Sequence, residues 1–250
     1  MMVNLIWFVT IFILMLYLNH WIMSHVHGIG LLVFKKEWAS IWLHFLIFLP
    51  GIIIHELSHA VMAFLLGVKI GGFHLGPKKL SDENIALGSI TVFTDSSLLR
   101  NLVGVAPLIF GSFAVWMISV WLNVNIFVES IADGDMVIFI EILLENITTP
   151  TFWLWLYLLF VIGNAMLPST SDTEYLGPVL LFSGVITTGI IAFDLVTFIP
   201  AYIHISFSYF IYGTSIILTI IVIVNLIFMI VILVMEFLLN RMTGLKIQYN

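Results

Sequence analysis

Residues 52–68 read "IIIHELSHAVMAFLLGV", and this run decides both the fold class and the chemistry to look for. It is apolar on almost every side and long enough for several helical turns. His55 and His59 are four apart, so they share one helix face, about 6 Å apart along the axis. Two imidazoles so placed can bind a single Zn²⁺, and Glu56 beside them can take a proton from bound water. A catalytic zinc keeps three protein ligands and one open position. Ionisable side chains inside an apolar run are costly, which favours a functional role for them. The bland alternative is a pair of structural histidines packed on a neighbouring helix.

The surroundings of this run are of the same kind. The 250 residues are 62% hydrophobic and 9% charged, with a mean hydropathy of +1.18. So few charges cannot cover that much apolar surface in water. Several runs exceed the roughly 18 residues that cross a bilayer. They predict six membrane helices near 4–23, 41–67, 98–122, 151–167, 178–198 and 208–240. The expected fold is therefore an all-α polytopic membrane protein, one domain over 1–250, with a core at 41–178. Residues 5–23 lack a basic flank and a small-residue cleavage site, and read as a retained helix. The formal net charge of −6 is spread over short loops. No basic cluster suggests nucleic acid. With no cysteine in the chain, disulfides, thiolate metal sites and cysteine nucleophiles are excluded.

Two segments are not simple spans. Residues 68–94, "VKIGGFHLGPKKLSDENIALGSITVFT", carry Gly and Pro punctuation and short alternating stretches, and predict one or two β-hairpins after the His-Glu-x-x-His helix. Residues 123–150 carry Glu129, Asp133, Asp135, Glu141 and Glu145, with a short helix expected near 136–144. Lys69, Lys78, Lys79 and Arg100 follow the second span, and Arg241 and Lys246 follow the sixth. By the positive-inside rule these ends face the cytoplasm. Six spans then put both termini and the hairpin inside and the acidic loop outside, with Lys35 and Lys36 discordant.

The third ligand has several candidates. The best lies in "GNAMLPSTSDTEYLGP", residues 163–178. The fourth span, at about 25 Å, falls short of a bilayer core of about 30 Å, and Pro168 ends it. Irregular backbone at that depth is tolerated where it lines a cavity, so Asp172 is placed to reach the histidines from the cytoplasmic side. Glu129, in the "ESIAD" of 129–133, fits a Glu-ligand pattern but falls on the far side of the membrane. Glu83 in the hairpin is a weaker choice. Buried His, Asp and Asn could instead line an ion path in a metal-binding transporter, or belong to a non-catalytic scaffold. Only one helix break is visible where a transporter would pair two, and Glu56 favours an enzyme over a scaffold. His20, His25 and His27 read as interfacial residues near Trp21, His44 as a bundle residue, His74 as a hairpin residue, and Asp194 as a non-catalytic polar residue of the fifth span.

From "HELSHAVMAFLLGVKIGGFHLGP" (55–77), through "GVAPLIFGSF" (104–113), to Asn164 and Asp172 eight residues apart, the chain resembles the site-2 protease family of intramembrane zinc metalloproteases. The resemblance covers roughly residues 44–178. It departs at Pro168, which stands one position late, at Thr173 and Glu174, which stand where two glycines are usual, and at Ala106, which precedes Pro107 in place of glycine. These departures mark a divergent branch. The resemblance implies one Zn²⁺ per chain on His55, His59 and Asp172, with Glu56 as general base. It implies that Asn164 holds the substrate backbone or the site geometry, and that an unwound membrane-protein helix is the substrate, pairing on the β element. Small size and absent cysteine suit a bacterial plasma membrane, with the site toward the cytoplasm.

Overall fold

The computed structural model describes residues 2–79, 85–167 and 201–249. Their elements run α1 (Met2–Phe34), α2 (Glu37–Leu65), β1 (Lys69–Lys79), β2 (Ile85–Phe93), α3 (Ser97–Gly104), α4 (Ala106–Trp121), α5 (Val124–Ala132), α6 (Met136–Thr148), α7 (Pro150–Ala165) and the long helix here called α8 (Ala201–Thr243). The chain is mostly helical with one small two-stranded antiparallel sheet, as the sequence predicts. Among the described residues four helical stretches are long and apolar enough to cross a membrane, five if the bent α6–α7 pair counts as one span. The expected fifth span, 178–198, lies outside the described residues.

Local signals set several boundaries. The Ser96 hydroxyl caps α3 by accepting from the Leu99 amide at 3.4 Å, and Asp135 Oδ1 caps α6 by accepting from the Ile138 amide at 3.1 Å. Pro107 and Pro150 stand in the first turns of α4 and α7, where a missing N–H costs nothing. Thr149, held extended before Pro150, turns α7 by 95° from α6. The expected span at 98–122 is present as one 25-residue stretch, Ser97–Trp121, within which α3 and α4 meet at Val105.

In α1 the residues Met15, Leu18, Ile22, Val26 and Ile29 are buried, a stripe at three- and four-residue spacing facing the bundle. The other faces of α1 are equally apolar and exposed, as at Ile6, Val9, Ile13 and Tyr17. Exposed apolar surface on this scale suits lipid, not water. In α2 the inward stripe is Phe45, Phe48, Ile52, Glu56, His59 and Ala63, so the ionisable residues occupy positions that packing would otherwise give to apolar side chains. One core cluster joins α1, α2, α4, α7 and α8. A smaller one, Ala63, Val68 and Val103, ties the end of α2 to α3.

Helix directions follow from their contacts. Tyr157 donates to the Ile47 carbonyl and His55 to the Ala165 carbonyl, so α2 and α7 run parallel. Asn164 meets Asn225 and Phe160 stacks on Phe228, so α8 runs antiparallel to α7. Asn4 meets Ser208 and His25 meets Glu236, so α8 runs parallel to α1. The start of α1 and the end of α8 therefore lie at opposite ends of the bundle, against the expectation that both termini share a side. Lys69 and Arg100 then lie at one end and Lys35, Lys36, Arg241 and Lys246 at the other, while the hairpin carries Lys78 and Lys79 back along α2. Charge counting no longer places the end of α2 on the cytoplasmic side.

The sheet is a single hairpin, with Lys69 opposite Phe93, His74 opposite Ser89 and Leu75 opposite Gly88, and irregularities at Ile70/Gly72 and Leu75/Lys78. It folds back along α2 instead of projecting away, and Leu87 packs on the main core.

Candidate metal centre

The His-Glu-x-x-His residues sit near the middle of the bundle's depth. Asn19, at the middle of the 33-residue α1, is level with Asn164 at the end of α7, and Ala165 is level with His55. That closeness of α2 and α7 depends on Gly51, one turn before His55. A Cβ there would collide with the Val161 carbonyl and meet the Ala165 methyl, so any side chain would wedge the two helices apart.

Each histidine is held by a backbone carbonyl from a different helix end. His55 Nδ1 donates to Ala165 O at 2.6 Å, and His59 Nδ1 donates to Val103 O at 2.8 Å. A carbonyl oxygen only accepts, so both Nδ1 atoms carry a proton, and in the neutral rings both Nε2 atoms present lone pairs. The two Nε2 atoms face each other 3.2 Å apart. Two nitrogens bound at zinc distance on a tetrahedral ion lie about 3.3 Å apart. A donor bond from the far ring nitrogen to a carbonyl is the usual support of a metal-ligating histidine, because it fixes tautomer and ring orientation. Ala165 and Val103 lie in the last turns of α7 and α3. Both helices thus direct their negative dipole ends at the pair, which favours a cation between the rings. The residues present fit a zinc ion at two of its positions.

Glu56 is 5% exposed, and so is His59. Strand β2 covers the carboxylate. A Cβ added at Gly88 would lie 2.6 Å from Glu56 Oε1 and 2.8 Å from its Cγ, so the strand's backbone rests directly on the acid. Arg100 fastens the end of this strand, donating to the Thr94 carbonyl at 2.7 Å.

Among the described residues no group of three or more His, Asp or Glu converges on one point. His55 and His59 come together as expected, with Glu56 next in the chain. Asp172, Glu83 and Asp194 lie outside the described residues. Glu129 is exposed on α5, which follows α4. Glu129 joins no metal-ligating group with the histidines. Asn164, expected at the substrate, is 3% exposed and has its amide engaged by Asn19 and Asn225. His25 is sandwiched between Trp21 and Tyr249, His27 bonds Ser40 at 3.1 Å, His44 lies against Phe48, and His74 sits in β1.

Sequence reasoning missed Asn19, Asn225 and the two carbonyls. The asparagines carried a usable signal, being amides inside long apolar runs. The carbonyls carried none, because every residue has one. Compared with known proteins, the chain matches no family model, no curated protein and no solved structure.

Proposed function

We propose that the chain is an intramembrane zinc metalloendopeptidase that hydrolyses a peptide bond in or near a transmembrane segment of another membrane protein. The observation that carries this reading is the histidine pair: Nδ1 protons fixed outward on Ala165 and Val103 carbonyls, Nε2 atoms facing at 3.2 Å, with a buried Glu56 beside them. A transporter or scaffold could use two such histidines but has no need of a general base there. The resemblance to the site-2 protease family over three separate stretches supports the same reading.

His55 and His59 hold the metal, and Asp172 supplies the third ligand. Zinc bound there would acidify a water and polarise the scissile carbonyl. Glu56 accepts the proton of the attacking water and passes it to the leaving amine. Its burial under β2 keeps bulk water away from the acid, which strengthens its interactions with the reacting groups. The hairpin, at membrane depth and packed on α2, offers backbone on which an unwound substrate segment pairs as an added strand. The protein resides in a bacterial plasma membrane, with the centre near the middle of the bundle's depth.

The test is metal content and peptide hydrolysis of the detergent-purified protein. Wild type should carry one zinc per chain, lost in Asp172→Ala and in His55→Ala, and kept in Glu129→Ala. Glu56→Gln should keep zinc and lose at least about a hundredfold in turnover, the usual scale for removing a general base. Wild-type hydrolysis by Glu56→Gln would sink the mechanism. Zinc lost only with Glu129→Ala would move the third ligand to α5. No zinc in any sample after loading would favour a scaffold or conduit.

A further inference from the structure

The centre of the bundle holds a second polar cluster, not anticipated from the sequence. Asn164 and Asn225 exchange amide bonds in both directions: Asn164 Nδ2 donates to Asn225 Oδ1 at 2.7 Å, and Asn225 Nδ2 donates to Asn164 Oδ1 at 3.1 Å. The remaining Asn164 proton goes to the Phe160 carbonyl at 2.7 Å. Asn19 Nδ2 reaches both Asn164 Oδ1 and the Asn164 backbone carbonyl, each at 3.1 Å. Asn164 and Asn225 are 3% and 0% exposed. Every polar atom of the central amide is thus used, and removing one partner orphans others at a depth where water cannot replace them.

The cluster joins α1 and α8 to the last turn of α7, where helix carbonyls lack intrahelical partners. Asn19 takes the Asn164 carbonyl, and the next carbonyl, of Ala165, holds His55. We infer that Asn19, Asn164 and Asn225 are positioning residues for the metal centre: they fix the end of α7 so that Ala165 O sets the tautomer and ring orientation of His55. Asn164 acts on the site through the backbone, and its side chain does not contact substrate. His59 depends on Val103 in α3, which the cluster does not touch. The two histidines are therefore supported separately, and the inference, which builds on the metalloprotease reading, makes a prediction that separates them.

The experiment is ¹⁵N NMR of histidine-labelled full-length protein, metal-free and in detergent, followed by zinc titration against a chelator of known affinity. In wild type both rings should show the Nδ1–H tautomer. In Asn225→Leu, His55 should lose that fixed tautomer and His59 should keep it, and zinc affinity should fall by about 10- to 100-fold, the usual cost of losing an outer support. Asn225→Gln, which retains an amide, should restore part of the loss. If Asn225→Leu does not fold, Asn19→Ala carries the same readouts from a partly exposed position. Unchanged tautomers, or loss at both histidines together, would overturn the inference and leave the protease reading intact. A wild type that binds no zinc but loses the His55 tautomer in the variants would sink the protease reading and leave the positioning network standing.

Discussion

At the scale of single residues, the centre depends on side chains that are present and on one that is absent. Gly88 lets the backbone of β2 lie on Glu56, where a Cβ would come within 2.6 Å of Oε1. The carboxylate is buried, so it cannot swing into open space and must be displaced along its own helix. On the proposed mechanism Gly88→Val is expected to keep zinc, because Glu56 serves there as base and not as ligand. It should lower turnover by about a hundredfold, the cost of misplacing a catalytic group by roughly an ångström. Metal content and kcat measured on one preparation check both halves. Wild-type kcat would show that β2 does not rest on the acid during turnover. His55, Glu56 and His59 were legible in the sequence because their spacing alone puts them on one helix face. Gly88 was not, because nothing within 85–93 says which residue of the strand meets α2.

At the scale of elements, helix ends do much of the positioning. The last turns of α3 and α7 orient the two histidines, and the segment after α8 packs back on α1. Tyr249 stacks on His25 with ring centroids 3.9 Å apart, and its hydroxyl lies against Gly28. Burial of that hydroxyl end, and the Glu236 carboxylate beside it, push the phenol well above its ordinary value of 10.0. The neutral phenol is thus the docked form. Docking of residues 244–249 should hold at full strength below pH 10 and weaken progressively above it, as the undocked phenol ionises first. A difference titration at 295 nm between wild type and Tyr249→Phe reads this directly. A Tyr249 signal titrating at the ordinary value would mean the tail is not docked in solution.

At the scale of the whole molecule, the parallel packing of α1 and α8 has a direct consequence. Residues 3 and 248 should lie on opposite faces of the membrane. The chain contains no cysteine, so single cysteines introduced as Val3→Cys and Gln248→Cys can be labelled without background. In sealed, right-side-out vesicles an impermeant thiol reagent should label one and not the other, and the pattern should invert in inverted vesicles. Labelling of both from the same side would contradict the helix directions fixed by the Asn4–Ser208 and His25–Glu236 contacts.

The sequence by itself determined a helical bundle with lipid-suited surfaces, a hairpin after the second helix and two histidines on one helix face with a glutamate beside them. Those features rest on hydropathy, turn residues and helical periodicity, which are local. Only the tertiary structure decided helix direction, the break at Val105 within the third span, the carbonyls behind each histidine and the asparagine cluster. Apolar helices carry nearly the same hydropathy on every face, so their pattern does not say which neighbour they meet or in which sense. That choice is made by a few close approaches and buried amide bonds, at Gly51, Asn19, Asn164 and Asn225, between residues far apart in the chain.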